Sequence, residues 1–247
     1  VSLVVMAEWV AAASIAGTME DAARLLTPSP KEAALSAGGA RTIDIDLGQA
    51  MPIDMITLAH TNAPDGFAFS VSYGVGGYSE HALGNLVAAP ARKVVLPRHM
   101  LMVLDEPVTA RFIRLSSAAV PAGFYAGILS VSQAMRTQYG HEWGAGRFVV
   151  DTGSAARLMS GGFGINRGAR FGGWQWTFGD LDDAETDALY AMQLRAGMTS
   201  PIIVVEDPDI TAGLNERIHY GLLTRLEAFE RQDTTKTRWL MRVEDWQ

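Results

Sequence analysis

Polar and apolar residues alternate with a period of two along Thr42–Gly48 (Thr-Ile-Asp-Ile-Asp-Leu-Gly) and Phe67–Tyr73 (Phe-Ala-Phe-Ser-Val-Ser-Tyr). That period predicts strands with one wet and one buried face. Met51–Ala59 is apolar at almost every position and predicts a more deeply buried strand. Further strands are predicted at Val1–Val5, Lys93–Leu96, Met100–Leu104, Ala110–Leu115 and Tyr125–Val131, with Gly74–Gly77 and Gly84–Ala91 as loops. Short strands at close intervals, separated by Gly, Pro and Asn, predict a β-sandwich. Trp9–Ala16 suits an extended or a helical conformation. Thr18–Leu26 reads as a short helix with Thr18 as N-cap and Asp21 as its partner in a capping box. Pro28 and Pro30 stop it.

The pattern changes in the last third of the chain. Arg170–Phe178 is aromatic-rich and predicts a strand. Asp180–Ala196 predicts a helix, with Asp180 as N-cap, acidic side chains at Asp182, Asp183 and Glu185 in the first turn, and Gly197 as the left-handed stop. Its apolar stripe is Leu181, Ala184, Ala188, Leu189 and Met192. Pro201–Glu206 predicts a short buried strand, and Ile218–Ala228 with Thr237–Trp246 two long strands around a polar turn. Gln138–Gly168 is rich in Gly, Ser and aromatic residues, contains one strand-like piece at Arg147–Val150, and reads as a bridge. The expected organisation is two domains, 1–135 and 136–247, in a mainly β chain with one helix over 180–196.

The 247 residues have room for one large or two modest domains. The net charge is −7, and from Arg170 onward eight basic side chains face fourteen acidic ones. This balance argues against a phosphate-backbone partner, so no nucleic acid is expected. There are no cysteines, which removes disulfides, thiolate catalysis and Cys-type metal sites and fits assembly in a reducing cytoplasm. Leu3–Ala16 is largely apolar but short and interrupted by Glu8. It is read as folded structure and not as a signal peptide or a membrane span.

Candidate chemistry is sparse. His60, His81, His99, His141 and His219 are scattered, without the spacing of a helical metal site. Asp44 and Asp46 emerge on one face of a strand, where they suit a wet face better than a cation site. Glu206-Asp207-Pro208-Asp209 lacks the rhythm of a calcium loop and reads as a turn. Gly161, Gly162, Gly164 and Gly168 lack the Lys-Ser/Thr ending of a phosphate loop. Trp143, Trp174, Trp176 and Trp239 suit a core or subunit interface better than a sugar-stacking platform. No catalytic group, metal or cofactor is expected, and the chain is not expected to be an enzyme.

Two stretches resemble known families. Thr42-Ile-Asp-Ile-Asp-Leu-Gly48, Pro52–Ala59 and Ala110-Arg-Phe-Ile-Arg-Leu115 resemble the strands of discoidin-like β-sandwich modules. Gly173-Trp-Gln-Trp-Thr-Phe178, Leu181 with Glu185, Ser200–Pro208, His219-Tyr-Gly-Leu-Leu223, Trp239 and Glu244-Asp-Trp246 resemble tail proteins of long-tailed bacteriophages, in which a discoidin-like half precedes a strand–helix–strand half. The second half is also similar in pattern to the small β-barrel or sheet with one helix of distal-tail and tail-tube proteins. The resemblance implies a structural virion component at the distal tail or baseplate, linking tube to tip proteins. It implies a homo-oligomeric ring, other tail and baseplate proteins as partners, and assembly in the host cytoplasm. Trp174, Trp176, Tyr220, Trp239 and Trp246 are the expected interface or core residues. The alternative is a carbohydrate-binding module recognising a host surface glycan, with the loop aromatics Phe67 and Tyr78 as contacts.

Overall fold

The computed structural model describes residues 4–92 and 97–246. The strand expected at Lys93–Leu96 and the first three residues of the one expected at Val1–Val5 lie outside the described residues. In chain order the strands are β1 (Val4–Glu8), β2 (Ser14–Gly17), β3 (Ala34–Ser36), β4 (Gly39–Thr61), β5 (Ala68–Gly74), β6 (His81–Ala88), β7 (Arg98–Val120), β8 (Phe124–Ser132), β9 (Met135–Arg136), β10 (Gly146–Asp151), β11 (Ser154–Arg157), β12 (Phe163–Asn166), β13 (Arg170–Leu181), β14 (Ile202–Glu206), β15 (Ile218–Leu223), β16 (Glu230–Arg231) and β17 (Thr237–Asp245). One helix, α1 (Asp183–Ala196), joins β13 to β14. The chain is mainly β, with antiparallel sheets.

The first sheet has the order β3-β8-β4-β7-β5-β6, with β2 on β4 and β6 also touching β7. Its two longest strands differ from the expectation. Thr42–Gly48 and Met51–Ala59 are parts of one strand, β4, and Met100–Leu104 and Ala110–Leu115 are parts of β7. These two strands pair along their lengths, with register shifts between Asp46 and Met51 and between Ile53 and Met55. Such irregularities bend a strand without ending it, so Gly48 (φ 83°) marks a bend where the sequence suggests a stop. β4 pairs with β2 at Ile43–Asp46 and with β8 from Met55 to Thr61. The sheet thereby folds over one core, which includes Ile43, Ile45, Phe69, Leu115, Phe124 and Leu129. The loop expected at Gly84–Ala91 is mostly strand, because Gly84–Val87 pairs with Ala68–Val71.

The second sheet has the order β10-β13-β17-β15-β14-β1-β9, with β16 on β17. It is an open sheet with two ends and not a closed barrel. β1 comes from the N-terminus yet pairs with β14, from Val4↔Glu206 to Glu8↔Ile202. Residues 4–8, expected in the first domain, thus belong to the sheet of the C-terminal half.

The β1, β14 and β15 part of this sheet is covered on both faces, and the side-chain alternation shows how. Val4 and Met6 of β1 and Ile202 and Val204 of β14 join a core with Trp176, Trp239, Leu189 and Met192, under the helix. Their neighbours Val5, Ala7, Ile203 and Val205 face the other way, against Met55, Ala59 and Ile128 of the first sheet. A strand buried on both faces reads as an unbroken apolar run, which accounts for the Ile-Ile-Val-Val sequence of β14. The junction is also tied by polar groups. The Tyr220 hydroxyl donates to the Pro28 carbonyl at 2.7 Å, the Trp9 indole N–H donates to the Leu129 carbonyl at 3.0 Å, and buried Asp54 of β4 is ion-paired with Arg136 of β9.

The helix starts two to three residues later than expected. Asp182, not Asp180, is the N-cap: its carboxylate accepts from the Glu185 N–H at 2.8 Å, and the Glu185 carboxylate accepts from the Asp182 N–H at 2.9 Å. The reciprocal box needs a Glu three residues after the cap, a spacing only Asp182 offers. Asp180 and Leu181 remain in β13. The buried stripe is Leu189, Met192, Gln193 and Ala196, while Ala184 and Ala188 face solvent. Gly197 takes φ 54° at the C-cap. The first expected helix is a 3-10 turn at Ala22–Leu26 without a side-chain cap. Thr18 instead accepts from the Thr42 N–H at 2.8 Å through its hydroxyl. The strand expected at Ile218–Ala228 ends at Leu223. Among the described residues, no helix is long and apolar enough to cross a membrane.

Candidate functional site

The exposed chemistry of the second half gathers at the β10 end of its sheet. β10 pairs with β13 on one side only, from Gly146↔Gln175 to Asp151↔Arg170, so its other edge has no partner strand among the described residues. Beyond it the chain forms a hairpin absent from the expected bridge. β11 and β12 pair from Ser154↔Asn166 to Arg157↔Phe163 in a two-stranded sheet of their own. Gly161 (φ 85°) supplies the left-handed turn, and its N–H donates to the Leu158 carbonyl at 2.9 Å. The Gly-Gly-Phe-Gly run is thus a hairpin turn and its return strand. Leu158, Met159, Phe163 and Ile165 are all exposed, and the Arg157 guanidinium lies over the Phe163 ring at 5.0 Å. No residue of this arm belongs to a hydrophobic core cluster. Between Gly146 and Arg170 four arginines face one aspartate, whereas from Phe171 onward seven basic side chains face fourteen acidic ones.

At the opposite end of β10 from the arm lies an open pocket of about 690 Å³. Four segments build it, β13 among them through Trp174. The loop before β10 contributes His141, Glu142 and Trp143, and the Glu142 N–H donates to the Thr177 carbonyl at 2.7 Å, which fastens this loop to β13. The end of β14 contributes Glu206, which is buried. The 3-10 turn at Asn215–Arg217 contributes Arg217. His141 Nε2 lies 3.1 Å from Glu206 Oε1, and Arg217 Nη1 lies 3.1 Å from Glu206 Oε2. The carboxylate is thus held from both sides. Arg147 lies over Trp174 at 4.4 Å, and Trp174 stacks on Trp176 with 5.7 Å between centroids. Trp143 is fully exposed at 104%.

Trp176, Tyr220 and Trp239 are core residues, each at most 2% exposed; Trp174 and Trp246 are half-buried. Phe67 is no free loop aromatic: it packs on Phe69 and Phe124, with centroids 5.1 and 5.4 Å away. Tyr78 lies against Phe112 and under Arg114. The Arg114 guanidinium forks onto Asp44 at 2.6 and 2.8 Å, and Arg111 onto Asp46 at 3.0 and 3.1 Å. The hydrogen bond from Arg111 holds the Asp46 carboxyl below its usual range. Desolvation, with the carboxylates nearby, pushes the Tyr78 phenol up. Asp44 and Asp46 therefore form a cross-strand ion-pair ladder on the wet face of β4. Asp207 takes φ 54° in a turn closed by the Ile210 N–H on its carbonyl at 3.2 Å, and no group of three His, Asp or Glu among the described residues is placed to hold a metal.

The convergence of His141, Arg147, Glu206 and Arg217 has no signature in the sequence, because the four come from three separate segments. The arm did leave one: a Ser-Gly-Gly turn between two short runs of small and apolar residues, the mark of a hairpin.

No protein-family model matches the chain, and no curated protein matches it. Among solved structures it is similar to chitosan-binding module 1 of a chitosanase/glucanase from Paenibacillus sp. IK-5. A selenomethionine-labelled point mutant of that module aligns with a TM-score of 0.40 and 14% identity, over 51% of this chain and 98% of the module. A second structure of the module aligns with a TM-score of 0.35 and 14% identity, over 48% of this chain and 92% of the module. At this level of likeness neither a residue role nor a ligand is transferred.

Proposed function

We propose that this chain is a non-enzymatic structural component of a bacteriophage tail, placed at the distal tail or baseplate and working as a homo-oligomer. The observation that carries the reading is the β11–β12 arm. An exposed hairpin with apolar side chains at Leu158, Met159, Phe163 and Ile165 is costly in water unless a partner covers it. Its arginines suit the acidic remainder of the same domain on a neighbouring copy, since complementary charge sets orientation and register. An arm on one side and its complement elsewhere make a head-to-tail contact, and such contacts generate rings when the rotation closes. The unpaired edge of β10 offers a second place for a neighbour to attach. The tail-protein resemblance of Gly173–Phe178 and Ser200–Pro208 supplies the setting.

Light scattering on the full chain tests the assembly. The chain should elute as an oligomer, and Phe163→Asp with Ile165→Asp should yield a monomer that keeps its folded circular-dichroism spectrum, because both side chains lie outside the cores. A monomeric parent chain, or a double variant that still assembles, argues against the arm as subunit contact. Gold-tagged antibody on intact particles tests the location. Label at the tail end away from the capsid is expected, and unlabelled particles would remove the virion reading.

A further inference from the structure

We propose that the pocket between β10, β14 and the Asn215–Arg217 turn binds a pyranose ring of a glycan, with Trp143 as its stacking wall. The proposal is independent of the arm and of the tail assignment.

A pyranose has two kinds of surface. One face presents axial C–H groups that pack on an aromatic plane, and the edge presents hydroxyls that both donate and accept. The pocket has a counterpart for each. Trp143 is fully exposed, although an indole is among the most favourable groups to cover. It stands at the rim of a concavity of about 690 Å³, within the range of small-ligand sites. This geometry separates it from the arm, whose apolar side chains lie on an exposed hairpin and suit a protein surface. The polar wall is held in place before any ligand arrives. Glu206 is 6% exposed and fixed by His141 and Arg217, each at 3.1 Å. An ionised carboxylate has about four lone-pair sites, so these two partners leave acceptors for hydroxyls. The Arg217 guanidinium carries five N–H donors in a fixed fork, and this ion pair engages one nitrogen. Adjacent acceptor and donor suit vicinal hydroxyls. Arg147 lies over Trp174 at 4.4 Å, which closes that indole face and leaves Trp143 as the stacking surface. The balanced charges of Glu206 and Arg217 fit a neutral sugar better than an anionic one.

Saturation-transfer NMR on the full chain tests this, with the methyl pyranosides of glucose, galactose, rhamnose and N-acetylglucosamine as probes. At least one should receive saturation, strongest at the ring protons of one face. Trp143→Ala should weaken binding about tenfold or more with an unchanged melting temperature, and Trp143→Phe should recover part of it. The proposal is overturned if no probe receives saturation, or if Trp143→Ala binds as tightly as the parent. It is also overturned if Trp143→Ala dissociates the oligomer and leaves sugar binding intact, which would make the indole a subunit contact. Sugar binding by an oligomer that the arm variants still dissociate would show the two sites to be separate.

Discussion

His60 sits in β4 with φ 52°, a left-handed backbone uncommon outside Gly that Asn, Asp and His adopt more readily than other residues. Its ring meets His99 at 5.4 Å and Tyr220 at 5.8 Å between centroids, so two histidines that look unrelated in sequence share the junction between the sheets. Burial lowers the His60 pKa to about 4, and it lowers that of His99 well below the usual imidazole value. In the unfolded chain both protonate near pH 6.5. Between pH 6.5 and 4 the unfolded state therefore binds more protons, so stability is lost as the pH falls through that window. His60 alone accounts for about 3 kcal/mol by pH 4. Urea unfolding at pH 7 and pH 4.5 should show the loss. His60→Asn, which tolerates the same backbone, should reduce the slope, and an equal slope in the variant would assign the pH dependence elsewhere.

Elements are decided by local rules where those rules are reciprocal. Asp182 and Glu185 each satisfy the other's backbone N–H, so Asp182→Ala should cost about 1 kcal/mol. Asp180→Ala should stay within about 0.5 kcal/mol, since that side chain is exposed and caps nothing. Chemical denaturation of the two variants separates the two capping assignments. The strand elements obey a different logic. β4 and β7 are long because their partners are long. Pairing up to Asp46 and again from Met51 carries the strand past the local turn preference of Gly48 and its neighbours. β6 likewise exists because β5 lies beside it, although Gly84 and Asn85 are weak strand formers.

The whole molecule is a stack: helix, second sheet, then first sheet. β1 and β14 each place alternate side chains in two cores, so neither layer can leave without exposing the other. Calorimetry should therefore show one transition, and two resolved transitions would mean the layers unfold independently. Tyr220→Phe removes only the hydroxyl that spans the junction to Pro28, and should lower stability by about 1 kcal/mol without splitting the transition. The charge distribution belongs to the same scale. A basic arm on an otherwise acidic chain gives the molecule unlike surfaces, and association through them should weaken as salt is raised.

The sequence by itself determined the mainly β class, the apolar runs at Ile202–Val205 and Met55–Ala59, the existence of the helix and its Gly197 stop, and the wet-face character of Asp44 and Asp46. These follow from side-chain period and backbone preference, which act over a few residues. It also pointed to the aromatic residues of β13 and β17 as candidates for core or interface, and Trp176 and Trp239 are buried. Only the tertiary structure decided that β1 belongs with β14, that His60 meets His99, that Phe67 is packed away, and that Glu206 is held between His141 and Arg217. Each depends on which distant segments lie side by side. Strand pairing uses backbone groups common to every residue, so the choice of partner is set by how whole faces cover one another and not by any local pattern.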